Sequence, residues 1–245
     1  MKVYFFTGAG VSAESGMRTF RDSNGLWENN KISEICNINT WRLHKPEVFS
    51  FYSNLRMKLE KLKPNKIHLK IAELQNLYGV DNVIIITQNI DDLFERAGCK
   101  NVLHLHGDLK TMICTNKKCK HLYNVGYNNV EAGTLCPVCN ENMLKPNVVF
   151  FGESAPQYHF MKRYFREIKP EDIFITIGTL GNVIPINRHL DFIEADIKIL
   201  NNLEDSNFID SSKYDYTFFE LGSVAIDKIT KIISNHFTND KDSYR

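Results

Sequence analysis

One histidine, one asparagine and one aspartate carry the first chemical suggestion in this chain. His106 closes the apolar run Asn101-Val102-Leu103-His104-Leu105-His106-Gly107. Asn89 and Asp91 sit in the polar cluster Gln88-Asn89-Ile90-Asp91-Asp92, which follows Val83-Ile84-Ile85-Ile86-Thr87. A neutral imidazole is the usual general base at neutral pH. Polar groups at the carboxyl ends of strands are where ligands bind in open α/β sheets. A histidine at a strand end is also a common structural or solvent-facing residue, and the spacing alone leaves both readings open. His104 is read as facing away from His106 and packing in the core.

The second chemical group is thiol. Four residues separate Cys114 from Cys119 and two separate Cys136 from Cys139, with sixteen residues between the pairs. Four thiolates complete a tetrahedral zinc shell and leave no position for water, so the site is structural and not catalytic. The first knuckle is wider than the usual two-residue gap. Cys36 and Cys99 have no partner motif and are read as buried and inert.

The third group is glycine. Val3-Tyr4-Phe5-Phe6-Thr7 runs into Gly8-Ala9-Gly10-Val11-Ser12-Ala13, and Asp172-Ile173-Phe174-Ile175-Thr176-Ile177 runs into Gly178-Thr179-Leu180-Gly181. A turn without β-carbons lets the backbone approach a ligand closely, and free N–H groups at a helix start favour an anion. The first turn fits the dinucleotide fingerprint with alanine in third place, and it equally suits a plain tight turn. Two such turns in one sheet suit a dinucleotide better than a mononucleotide. Asn202 and Glu204 stand at the end of another strand, which follows Asp196, where they suit a ribose, an adenine or a solvated turn.

These groups need a frame. The four apolar runs starting at Val3, Val83, Asp172 and Asp196 read as buried parallel strands. Asn101–Gly107 and Val148–Glu153 read as two further strands. Apolar residues at helical spacing predict helices over Pro46–Lys63, broken by Pro64-Asn65, over Ile67–Leu77, ended by Gly79, and over Ser223–Phe237. Strands alternating with helices predict an α/β fold, a Rossmann-like parallel sheet with helices on both faces. Residues 1–30, 78–110 and 146–245 are assigned to this sheet domain, 31–77 to a helical segment of a small domain, and 111–145 to an inserted zinc-ribbon module.

The chain has 245 residues, 43% hydrophobic and 24% charged, with a formal net charge of +1. That balance argues against a dedicated nucleic-acid surface or an electrostatic membrane anchor. Lys117, Lys118, Lys120 and His121 make only a small basic patch. No apolar run is long enough to span a bilayer. A cytoplasmic, reducing setting is expected, and a monomer.

Taken together, these residues resemble the sirtuin family of NAD-dependent protein deacylases. The matching runs are Gly8-Ala9-Gly10-Val11-Ser12 with Glu14-Ser15-Gly16, Thr19-Phe20-Arg21, Thr87-Gln88-Asn89-Ile90-Asp91, Leu105-His106-Gly107, the four cysteines, Phe151-Gly152-Glu153, Ile177-Gly178-Thr179 and Asn202-Leu203-Glu204. Arg18 and Gly25-Leu26-Trp27-Glu28 look like the bacterial branch grouped with class III. The resemblance implies that Gly8, Ala9, Gly10, Glu14 and the Phe20-Arg21 loop surround the NAD phosphates and ribose. Gln88, Asn89, Ile90 and Asp91 would orient the nicotinamide end, with Asn89, Asp91 and His106 catalytic and His106 the general base. Gly178, Thr179, Asn202, Glu204 and Val224 would hold the adenosine half. Val149, Phe151, Gly152 and Glu153 would line an acyl-lysine tunnel and pair with substrate backbone as an added strand.

The implied reaction consumes NAD. The acyl oxygen of a modified lysine attacks the ribose carbon, nicotinamide leaves, and His106 accepts a proton from a ribose hydroxyl. Nicotinamide, free lysine and O-acyl-ADP-ribose result.

One departure bears on the substrate. Members that remove acidic acyl groups carry Tyr and Arg at i and i+3, whereas here Tyr52 is followed by Leu55 and then Arg56. Helical geometry puts both on the face of Tyr52, so Arg56 is expected to reach a succinyl carboxylate or Leu55 to make the pocket apolar. Deacetylation with weak desuccinylation is the expectation. Protein mono-ADP-ribosyl transfer, hydride transfer, and a non-catalytic NAD or zinc-ribbon binding module are the competing readings.

Overall fold

The computed structural model describes residues 1–17 and 36–242. In chain order the elements are β1 (Val3–Thr7), α1 (Gly10–Ala13), α2 (Lys45–Lys61), α3 (Lys66–Tyr78), β2 (Val83–Thr87), α4 (Leu93–Arg96), β3 (Leu103–His104), β4 (Gly107–Cys114), β5 (Leu122–Asn124), β6 (Leu144–Val148), α5 (Tyr158–Glu167), β7 (Ile173–Ile177), α6 (Asn187–Leu190), β8 (Ile197–Asn202), a 3₁₀ turn (Ser211–Lys213), β9 (Tyr216–Phe219) and α7 (Gly222–Asp242).

Six strands form one sheet in the order β3-β2-β1-β7-β8-β9, every pair parallel. The chain winds outward from β1 to β3, returns beside β1 as β7, and winds outward again. The strand order therefore reverses between β1 and β7, the position where open α/β sheets bind ligands at their carboxyl edge. Alternation along β1 builds a core on each face. Val3 and Phe5 pack with Ile67, Ile71, Ala225 and Ile229 of α3 and α7. Tyr4 and Phe6 pack with Met161 and Phe165 of α5 and with Phe174.

The Pro64-Asn65 break is a helix start. The Asn65 side chain accepts from the Ile67 N–H, and Gly79, with φ 95°, ends the helix. Because α3 packs on the main sheet, only the first part of the 31–77 segment joins the small-domain core. Trp41, Val48, Phe49, Tyr52 and Leu59 pack there with Met112, Leu144 and Phe150. Beneath them lies an antiparallel sheet in the order β5-β4-β6.

Two expected strands differ. Only Leu103 and His104 pair in the main sheet, with Ile86 and Thr87. The chain then leaves it at Gly107, whose φ is 93° and where a β-carbon would lie 2.0 Å from the Asn147 carbonyl oxygen. Val148–Glu153 is not a strand of the main sheet. Val148 ends β6 in the small sheet, and Phe151 makes one isolated bridge to Asn37.

Candidate active site

The two glycine turns meet at the strand reversal. The Gly10 N–H donates to the Gly178 carbonyl across 2.9 Å. A β-carbon on Gly8 would stand 2.6 Å from that carbonyl oxygen, and one on Gly178, whose φ is 64°, would stand 2.6 Å from the Val11 nitrogen. Both glycines are required by backbone-to-backbone contact before any ligand arrives. They floor a cleft of about 340 Å³. At one end stand Gln88, Asn89 and His106, and at the other Asn202, Leu203, Glu204 and Leu221.

The polar end is cross-linked. Ser12 of α1 donates from its hydroxyl to Asp91 Oδ2 at 2.9 Å and accepts from Asn89 Nδ2 at 3.0 Å. The Leu93 N–H donates to the other Asp91 oxygen. Burial pushes the Asp91 carboxyl up from its ordinary value, against the lowering effect of these two donors. Gln88 Nε2 donates to Thr179 Oγ1 at 3.0 Å and so ties the β2 loop to the second glycine turn.

His106 is held with one tautomer. Its Nδ1 lies 2.8 Å from the Gln88 carbonyl oxygen, which can only accept, so Nδ1 carries the proton. The bare Nε2 lies 2.9 Å from the Tyr158 hydroxyl, at the start of α5. Burial lowers the His106 pKa, and the Gln88 carbonyl partly offsets that, so the ring is neutral at pH 7.

The remaining expected residues divide. Gly8, Ala9, Gly10, Glu14, Gly178, Thr179, Asn202 and Glu204 line the cleft. Glu14 also accepts from the Ser223 N–H at the start of α7, and Asn202 donates to the Thr179 carbonyl. The Ile90 side chain instead packs in the small-domain core, and Val224 is exposed in the first turn of α7. Phe20 and Arg21 lie outside the described residues.

Of the residues expected to line the acyl-lysine tunnel, Val149 donates its N–H to the His106 carbonyl. The Phe151 N–H and carbonyl are taken by Cys36 and Ile38. Glu153 accepts from the Phe150 N–H and pairs with the buried Lys145 at 2.9 Å. Gly152 turns with φ 74°. Tyr52 stacks on Phe150 with ring centroids 5.8 Å apart. Arg56 departs from the expectation of an acyl-reading cation. It is fully buried, and its three nitrogens donate to the Asn128 carbonyl, the Leu109 carbonyl and Ser53 Oγ. It joins α2 to the zinc-bearing module.

His104 also departs from its expected place. Residues two apart in extended chain share a side, so His104 follows His106 toward the β2 loop and not into the core. Its Nδ1 lies 2.8 Å from the Asn89 carbonyl oxygen and its Nε2 2.8 Å from Glu95 Oε1. Sequence reasoning also passed over Ser12 as a site residue, although it closes the first glycine motif, and over Tyr158, for which spacing offers no signal.

The four thiols converge. All four sulfurs lie within 4.8 Å of one another. Cys114 and Cys139 are 3.6 Å apart, Cys119 and Cys136 3.7 Å. A tetrahedron with Zn–S bonds of about 2.3 Å has edges of about 3.8 Å, so the residues fit zinc. The cleft fits NAD in the same sense: a floor of two glycine turns at the strand reversal runs from Gln88 and Asn89 at one end to Asn202 and Glu204 at the other.

The model of the Sir2 family matches residues 8–185. The chain belongs to the Sir2 family. The Sir2-family match extends to whole relatives. An NAD-dependent protein deacylase of Helicobacter hepaticus (strain ATCC 51449 / 3B1) is 39% identical, over 96% of this chain and 98% of its own length. One of Campylobacter jejuni (strain RM1221) is 40% identical, over 95% and 96%. A solved structure of a Sir2 homolog–NAD complex superposes with a TM-score of 0.79 at 31% identity, covering 96% of this chain and 90% of that one. The six-stranded parallel sheet and the cysteine-bearing module are thus a Sir2 fold.

Proposed function

We propose that this Sir2-family chain is an NAD-dependent protein-lysine deacylase acting on uncharged acyl groups. The observation that carries the reading is His106: its Nδ1 is fixed on the Gln88 carbonyl, and its bare, neutral Nε2 belongs to a residue lining the cleft with Asn89 and both glycine turns.

Bound NAD supplies a ribose carbon that becomes electrophilic as nicotinamide departs. The chain's residues do the rest. Gly8, Ala9, Gly10, Gly178 and Thr179 give the dinucleotide a floor without side-chain bulk. Asn89, oriented by Ser12, presents its amide at the nicotinamide end. Asp91 is the buried acceptor that fixes the Ser12 hydroxyl, and it keeps that end of the cleft ordered. His106 takes a hydroxyl proton at Nε2. The four cysteines hold zinc as a closed structural cross-link, remote from the proton chemistry.

The acyl preference rests on α2. Leu55, three residues after Tyr52, is buried in the apolar cluster with Trp41, Tyr52 and Phe150, and Arg56 is committed to protein oxygens. Arg56 is therefore not free to meet a succinyl carboxylate. Among the described residues no helix is long and apolar enough to cross a membrane, and the thiolate shell suits a reducing compartment such as the cytoplasm.

Product analysis with NAD and acetyl- or succinyl-lysine peptides tests both parts. Nicotinamide and free lysine from the acetyl peptide, with the acetyl-to-succinyl ratio unchanged in Arg56→Met, is the expected result. A selective loss of desuccinylation in Arg56→Met overturns the acyl assignment. No lysine product from any peptide overturns the activity.

A further inference from the structure

Two histidines grip consecutive carbonyls of one loop. His106 Nδ1 is 2.8 Å from the Gln88 oxygen, and His104 Nδ1 is 2.8 Å from the Asn89 oxygen. Their outer nitrogens differ. The second partner of His106 is a hydroxyl, which can donate. The second partner of His104 is the Glu95 carboxylate, 2.8 Å from Nε2, which can only accept. A neutral imidazole has one N–H and one lone pair. It can satisfy the surroundings of His106, but not two acceptors at once.

We infer that His104 is an imidazolium whose charge-assisted bonds to the Asn89 carbonyl and the Glu95 carboxylate hold the Gln88–Asp91 loop in its working shape. The inference rests on the deacylase reading only for the meaning of "working". His104 is a positioning residue, because it lines a cavity on the edge of β3 and not the dinucleotide cleft.

The charges around His104 agree with this state. Glu95 approaches from α4, and Asp91 acts from the loop itself. From the small-domain side, Asp108, Lys145 and Glu153 line the same cavity, and the last two neutralise each other across 2.9 Å. Burial opposes the charge, but Glu95, the Asn89 carbonyl and Asp91 outweigh it and raise the His104 pKa to about 9. The side chain is 16% exposed and Glu95 is 40% exposed, so protons reach the pair from solvent.

The loop is anchored on its other side by Ser12, through Asn89 Nδ2 and the Asp91 carboxylate. Deprotonated His104 must surrender one of its two bonds. Release of the Asn89 carbonyl leaves the amide of the same residue held by Ser12 alone, so its direction loosens while the cleft floor is untouched. The effect then falls on turnover and not on peptide affinity.

Nitrogen-15 NMR of the two histidines in the free protein, paired with deacylation kinetics from pH 7 to 10, tests this. At pH 7.5 both His104 nitrogens are expected to be protonated, with a titration near pH 9 that kcat follows downward. Glu95→Gln is expected to move both midpoints to lower pH. His104→Gln is expected to lower kcat about tenfold, to flatten the basic limb and to leave KM for the acyl peptide in place, with partial recovery in His104→Arg. A bare His104 nitrogen at pH 7.5, or a basic limb that stays put in Glu95→Gln, overturns the inference. Should the wild type release no nicotinamide, the deacylase reading fails, and the NMR result still decides the charge on His104.

Discussion

The Ser12 hydroxyl donates to the Asp91 carboxylate across 2.9 Å, joining the first turn after β1 to the loop after β2. The same oxygen accepts from the Asn89 amide, so one serine sets the direction of two site residues. Ser12→Ala is expected to leave Asp91 buried with one donor fewer and Asn89 without its acceptor. Turnover should fall about tenfold or more, with zinc content unchanged. Kinetics beside metal analysis checks this, and unaltered kcat would remove Ser12 from the site.

His106→Ala should abolish the proton transfer and reduce acyl-lysine turnover about 100-fold or more. The wild-type acid limb follows from the direction of the shift. Burial lowers the His106 pKa, so the base stays neutral through pH 7 and activity declines only below the ordinary histidine range, 6.5. A kcat/KM profile with its acidic limb above pH 7 would contradict this assignment.

Tyr158 and an incoming hydroxyl compete for the single lone pair of His106 Nε2. Tyr158→Phe removes the competitor. KM for NAD is expected to drop by about threefold to tenfold with kcat little changed, the worth of one hydrogen bond. A fall in kcat instead would mean that Tyr158 takes part in the proton path.

Stability should carry its own pH signature. His68 is fully buried in α3, with ordinary pKa 6.5 lowered to about 4 by desolvation. The unfolded chain binds its proton first as pH falls. The native state therefore keeps full stability above pH 6.5 and loses about 3 kcal/mol between there and pH 4 from this residue. Urea melts of wild type and His68→Leu at several pH values check the slope, which should be shallower in the variant.

Removing zinc should melt the small sheet before the large one. Cys114 ends β4, and the loops after β4 and before β6 carry the other three thiols, so the metal is the cross-link at that end of the sheet. Cys136→Ser or a chelator is expected to cost one zinc per chain and to lower the melting temperature; an apo-protein with unchanged melting would refute the structural role.

The four central strands were legible because buried parallel strands are nearly unbroken apolar runs: β1, β2 and β7 are of that kind, and β8 keeps Ile197, Ile199 and Leu200 around Lys198. Tyr216–Phe219 was not read as a strand, since it is a short edge element with its first and last residues exposed. Val148–Glu153 misled because its apolar residues serve the small-domain core and a turn. Among site residues, motif order located His106, Asn89 and the cysteines. Tyr158 meets His106 from 52 residues away, a contact that no local pattern encodes. Arg56 shows the opposite limit: a helix face can be read from spacing, but which of its neighbours captures the guanidinium is decided by the packing of residues 109 and 128.

The contact between Gly8 and Gly178 has a consequence for redesign. Since each turn occupies the space that the other's β-carbon would need, no paired exchange can restore the fit, and the cleft floor has one width. Tailoring the pocket to a different dinucleotide must therefore be done at its walls, at Leu203, Glu204 and Leu221, on a chassis that admits no adjustment beneath them.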